Sequence, residues 1–98
     1  MQEKQMQNNV EQFLNERNIP YEREKRLDDK DIPDFLIDGI VLEVKTKCSN
    51  KAIYRQLERY SRHENVTGLL LLTGTSMHLP PTINDKPALI APLGMGWL

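Results

Sequence analysis

Apolar and polar positions run along this chain in two rhythms, and each change of rhythm marks a new element. From about Gln2 to Asn18, Met6, Val10, Phe13 and Leu14 recur at i, i+4, i+7 and i+8, the inner face of an amphipathic helix. Asn18-Ile19-Pro20 ends it, because the residue before a proline is pushed out of the helical region. Tyr21 to Leu27 is charged throughout with poor alternation and reads as an edge strand, and Asp28-Asp29-Lys30-Asp31 reads as a solvated loop. Two apolar runs follow, Phe35-Leu36-Ile37 and Ile40-Val41-Leu42, joined by Asp38-Gly39, the strongest short-range signal for a two-residue hairpin. A second helix is expected from a cap at Ser49 or Asn50 to about Glu64, with Ile53, Leu57 and Tyr60 facing the core. The continuous apolar run in Val66 to Thr73 suits a buried, central parallel strand. After Gly74 the chain reads as irregular, through Pro80-Pro81, to a last strand at Ala88 to Ala91.

The order is therefore α-β-β-β-α-β, which implies an α/β fold with a mixed sheet flanked by helices. At 98 residues it is expected to be a single domain covering 1–98. No apolar run approaches the roughly 20 residues that span a bilayer, and the polar N-terminus does not read as a signal peptide. Cys48 stands alone, so no internal disulfide is available, and a reducing, cytoplasmic setting is expected. With a net charge of −1, any contact with nucleic acid has to come from local clustering of charge.

The hairpin carries the candidate chemistry. With Asp38-Gly39 as the turn, Ile37 pairs with Ile40, Leu36 with Val41, Phe35 with Leu42, and Asp34 with Glu43. Opposed residues have Cβ atoms about 4.5–5.5 Å apart, and two carboxylates held so close repel unless something cationic sits between them. Lys45, two residues beyond Glu43, points to the same face. Glu-x-Lys alone is ordinary on a solvated strand. Asp34 opposite it makes two carboxylates and an amine around a space the size of a divalent cation. The second helix adds Lys51, Arg55, Arg59 and Arg62 at i, i+4, i+8 and i+11, led into by Lys45 and Lys47. This basic stripe, with Glu58 inside it and Gln56 on its flank, is fit to follow a phosphate backbone.

Asp34, then Glu43-Val44-Lys45 after a short hairpin, then a helix with Gln56, resembles the PD-(D/E)xK nuclease superfamily. Pro33-Asp34 and Glu43-Val44-Lys45 match the motif that names it, and Glu11-Gln12-Phe13-Leu14 followed by Ile19-Pro20-Tyr21 is similar to its usual lead-in. Small phage-type members of the VRR-NUC and Holliday-junction-resolvase kind come closest in size. The resemblance implies a restriction-endonuclease-like core and a metal-dependent DNA endonuclease, acting on branched or junction DNA. It implies Mg²⁺ or Mn²⁺ held by Asp34, Glu43 and the Val44 carbonyl. Lys45 would orient or deprotonate the attacking water, or neutralise developing charge. Gln56 would contact the phosphate or a metal-bound water, and Glu11 would be the first-helix carboxylate, with Glu16 and Glu3 also near the apolar stripe. Lys47, Lys51, Arg55, Arg59 and Arg62 would hold DNA. Two nicks on opposite strands need two sites, so a homodimer is expected, with the apolar segment 94–98 as one contact. Two other readings stay open: a non-catalytic nucleic-acid-binding module, and a nuclease subunit that takes its specificity from a partner.

Overall fold

The computed structural model describes residues 2–93; the segment 94–98, expected at a dimer contact, lies outside them. Among the described residues are α1 (Glu3–Glu16), β1 (Glu22–Arg23), β2 (Phe35–Ile37), β3 (Ile40–Lys45), α2 (Asn50–Ser61), β4 (Gly68–Thr73), β5 (Thr82–Ile83) and β6 (Lys86–Pro92). The strands form one mixed sheet in the order β1-β2-β3-β4-β6-β5. β1, β2 and β3 run antiparallel, β3, β4 and β6 run parallel, and β5 folds back antiparallel on β6. The mixed α/β class expected from the pattern is what forms.

Each helix buries its apolar stripe on the sheet. Met6, Val10 and Leu14 of α1 cluster with Phe35, Leu42, Val44 and Leu72. Ile53, Leu57 and Tyr60 of α2 cluster with Leu36, Val41, Leu69 and Leu71. The two clusters draw on alternate residues of β2, β3 and β4, so they lie on opposite faces of the sheet. Each fully buried side chain of this size contributes about 1.5–3 kcal/mol. Ser49 caps α2, its Oγ accepting from the Ala52 N–H at 3.1 Å, which satisfies one donor that the first helical turn leaves free.

The hairpin forms in the register read from the sequence: Phe35 opposite Leu42, Leu36 opposite Val41 and Ile37 opposite Ile40. Asp38 (φ 48°) and Gly39 (φ 84°) both sit in the left-handed region, the pair of conformations a twisted two-residue hairpin requires. Gly39 also passes close to the loop before β4, where an added Cβ would stand 2.7 Å from Thr67 Oγ1. Gly39→Ala is therefore expected to cost about 1–3 kcal/mol, read as a lower urea midpoint with unchanged slope.

Three elements differ from the pattern-based reading. β1 is two residues, not seven, because Glu24 turns to φ 53° and gives its N–H to the Asp34 carbonyl at 2.9 Å. The stretch read as irregular contains β5, whose two residues pair with β6 across Asn84 (φ 50°) and Asp85 (φ 67°). Such short arms carry no periodicity to detect. Asp31, assigned to a solvated loop, is 5% exposed: Arg59 Nε donates to its Oδ1 at 3.0 Å, and His63 Nε2 lies 2.9 Å from its Oδ2.

Candidate active site

The open end of the hairpin, where β2 and β3 part, gathers the polar groups. The register that pairs Phe35 with Leu42 brings Asp34 beside Glu43, one step beyond the ladder. The two are locked reciprocally. Glu43 Oε1 accepts from the Asp34 N–H at 3.0 Å, and Asp34 Oδ2 accepts from the Val44 N–H at 2.8 Å. The Val44 N–H thus faces β2, and its carbonyl, on the same strand edge, faces that side too. The next residue alternates, so the Lys45 carbonyl faces β4 and accepts from the Gly74 N–H at 3.3 Å. Asp34, Glu43, Lys45 and the Val44 main chain, expected to act together, are brought together.

Burial decides the electrostatics. Glu43 is 1% exposed. Loss of water and then the neighbouring Asp34 charge push its carboxyl from the ordinary 4.5 up to about 7. Asp34 is raised too, first by desolvation, against the lowering effect of the Val44 N–H and the Lys45 charge. Lys45 Nζ pairs with Glu43 Oε2 at 3.2 Å. Burial pulls the Lys45 pKa down, but Glu43, with Glu3 and Asp34, outweighs it, so Lys45 is held protonated above its ordinary range. One amine beside two desolvated carboxylates leaves a surplus of negative charge.

α1 delivers Glu3 to this site, not Glu11. Glu11 Oε1 pairs with Arg23 Nη1 at 2.8 Å and its Oε2 accepts from Tyr21 Oη at 3.0 Å. Those partners, Arg23 of β1 and Tyr21 just before it, hold it two turns away along the helix. Glu3 Oε1 accepts from the Thr46 N–H at 3.2 Å, and its charge acts on both Asp34 and Lys45. Gln7, one helical turn after Glu3, hydrogen-bonds Asp34.

α2 supplies a residue that pattern reading assigned only to the core. Tyr60 is 1% exposed, yet its Oη makes long contacts to Glu43 Oε2 (3.5 Å) and the Ile32 carbonyl (3.4 Å). Burial, then the charges of Glu43, Asp34 and Asp31, keep this phenol protonated. The usable signal was a hydroxyl four residues after Gln56, on the inward face of a helix that follows the carboxylates. Gln56 is half-buried on α2 and makes no side-chain hydrogen bond among the described residues.

The basic stripe divides. Lys47, Lys51 and Arg55 are exposed and carry no ion pair among the described residues. Arg59 is held by Asp31, and Arg62 Nη2 pairs with Glu58 Oε1 at 3.2 Å. Asp31 and Asp28 also converge on His63, a grouping with no signal in the sequence spacing. Its members already pair with one another, with Arg59 and with main-chain amides. Scans of protein-family models and searches of curated proteins and solved structures found no match.

The donor set of Asp34, Glu43 and the Val44 carbonyl is all hard oxygen, the kind that Mg²⁺ and Mn²⁺ take. The raised pKa values of both carboxyls show charge that an added cation would relieve. The residues therefore fit a divalent ion.

Proposed function

We propose that the chain is a divalent-metal-dependent DNA endonuclease of the PD-(D/E)xK kind, with a restriction-endonuclease-like core, working inside the cell. The observation that carries the reading is the buried Asp34–Glu43 pair with Lys45 at 3.2 Å. A stability-driven sequence has no reason to desolvate two adjacent carboxylates at the open end of an apolar hairpin. Asp34, Glu43 and the Val44 carbonyl would hold Mg²⁺ or Mn²⁺. When bound, such an ion polarises a phosphate oxygen and lowers the pKa of water. The chain's own groups do the rest. Lys45 keeps its proton and presents ammonium hydrogens toward the phosphate, stabilising charge as it builds. Gln56 on α2 has an amide with no side-chain hydrogen bond among the described residues and would contact the phosphate, and Glu3 and Gln7 hold Thr46 and Asp34 in place.

Lys47, Lys51 and Arg55 form the proposed DNA contact. Substituting Lys51 or Arg55 by Ala is expected to weaken DNA binding for all sequences alike. Each loss should also flatten the slope of log affinity against log salt by about 0.9. Arg59→Ala is expected instead to lower stability, because it strips a partner from buried Asp31. Within the stripe only these three cations are uncommitted among the described residues, which makes a small footprint. That observation favours one variant of the reading, a nuclease subunit whose grip on DNA is completed by a second copy or a partner protein.

The test is incubation of the pure protein with end-labelled linear duplex, single-stranded, flapped and four-way-junction DNA, in Mg²⁺, Mn²⁺ or EDTA. Cutting of at least one form with metal and none in EDTA supports the reading. Retention of DNA without cutting of any form would leave a non-catalytic binding module.

A further inference from the structure

Glu43 has one buried charged companion among the described residues, Asp31, and it stands three residues before Asp34. All of its polar atoms are engaged. The Asp31 N–H donates to Asp28 Oδ1 at 2.7 Å, and its carbonyl accepts from the Leu27 N–H at 2.8 Å. Its carboxyl oxygens meet the last turn of α2 and the residue just past the helix. Arg59 Nε donates to Oδ1 at 3.0 Å, and His63 Nε2 lies 2.9 Å from Oδ2. Nε2 is also 3.5 Å from Asp28 Oδ2, so it faces two carboxylates and is the ring nitrogen that carries the proton. A carboxylate taken out of water stays there only when charge and hydrogen bonds replace what it loses, and Arg59 and His63 supply both.

We propose that Asp31 is a positioning residue: clasped by Arg59 and His63, it fixes where the Asp34 carboxylate stands opposite Glu43. Residues 31–33 lie outside the strands, so no ladder sets their path. The short arm between clasp and site is nevertheless stiff. Pro33 locks its own φ near −65° and is fully buried, and Ile32, preceding a proline, is confined to extended backbone. A shift at Asp31 is therefore carried to Asp34 instead of being absorbed on the way. There, Glu43 Oε1 accepts from the Asp34 N–H and Asp34 Oδ2 from the Val44 N–H, two bonds that tolerate little displacement. Gln7 of α1 steadies Asp34 from one face of the sheet, and the clasp from the α2 side steadies it from the other. The consequence for the cation rests on the metal-dependent reading above, because ligands of a small hard ion have to be held within about 0.5 Å. The positioning itself does not depend on that reading.

Amide hydrogen exchange of the whole chain, followed by nuclear magnetic resonance, tests this whether or not the protein binds metal. The Asp34 and Val44 amides report the lock between the carboxylates. The Ile19 amide, bonded to the Leu14 carbonyl at 3.0 Å, and the Thr67 amide, bonded to the Gly39 carbonyl at 2.8 Å, report the fold away from it. His63→Ala is expected to speed exchange at Asp34 and Val44 by at least roughly tenfold more than at Ile19 and Thr67. Arg59→Ala, which leaves Asp31 its histidine, is expected to act in the same direction. His63→Gln, which keeps a donor at the Nε2 position, is expected to restore most of the protection. One common factor at all four amides would mean that the clasp only stabilises the fold, and would overturn the proposal. So would wild-type exchange at Asp34 and Val44 in both alanine variants. In Mn²⁺ titrations, His63→Ala is expected to bind about tenfold more weakly than wild type, and His63→Gln to bind like it. Wild-type protein that leaves Mn²⁺ free would contradict the metal reading, and the exchange pattern would still decide the clasp.

Discussion

Lys45→Ala is expected to leave a folded protein that still retains DNA but cuts it about 10²–10³-fold more slowly. The size follows from where the amine stands. It is 3.2 Å from Glu43 Oε2, held protonated by Glu43, Glu3 and Asp34, and its side chain is only 17% exposed. A charge fixed in a site that excludes water acts on a developing anion without reorganising, which is why loss of one such group costs about 3–4 kcal/mol of barrier. Lys45→Arg keeps the charge but replaces a compact ammonium with a wide planar fork, and is expected to recover little. DNA retention and the circular dichroism spectrum separate loss of chemistry from loss of fold. Cutting at the wild-type rate by Lys45→Ala would remove Lys45 from the mechanism.

Glu43→Gln is expected to uncouple stability from activity. Glu43 titrates near 7 in the folded protein and near 4.5 when unfolded. Its protonated form is thus favoured by folding, and its ionised form is disfavoured. Below pH 4.5 the group is neutral in both states and takes nothing from stability. As pH rises from 4.5 to 7 the unfolded chain ionises first, and stability falls by on the order of 3 kcal/mol; above 7 the loss is complete. Asp34, also raised, acts in the same direction. Glutamine mimics the protonated acid. In urea titrations, the stability of Glu43→Gln relative to wild type should therefore climb by on the order of 2–3 kcal/mol between pH 4.5 and 8. The same substitution is expected to abolish metal-dependent cutting. An offset between the two proteins that does not change with pH would mean that Glu43 is not strained by its neighbours.

The parts of this site legible in the sequence are those fixed by local geometry. A two-residue turn at Asp38-Gly39 dictates register. Register alone sets Asp34 beside Glu43 and, by the strand's period of two, Lys45 on the Glu43 side. The resemblance implies Glu11, and a helical wheel cannot decide between it and Glu3, because it gives angle around an axis but not which end of the helix meets the site. That depends on how α1 lies across the sheet, and on Arg23 of β1 and the preceding Tyr21 reaching Glu11. The basic stripe was legible as a stripe, but the Asp31 that occupies Arg59 is 28 residues away, and no periodicity links them. Tyr60 was visible as a core residue and not as a hydroxyl, since one side chain does both.

The central claim is that Asp34 and Glu43 form a divalent-cation site, and Mn²⁺ binding followed by electron paramagnetic resonance tests it most directly. At pH 8, wild-type protein is expected to bind Mn²⁺ saturably and give it up to excess Mg²⁺. Asp34→Asn and Glu43→Gln should each weaken binding by at least roughly tenfold, as should lowering the pH to 5, where Glu43 retains its proton. Folded wild-type protein that leaves Mn²⁺ free at pH 8, or binds it equally well after both substitutions, would contradict the claim.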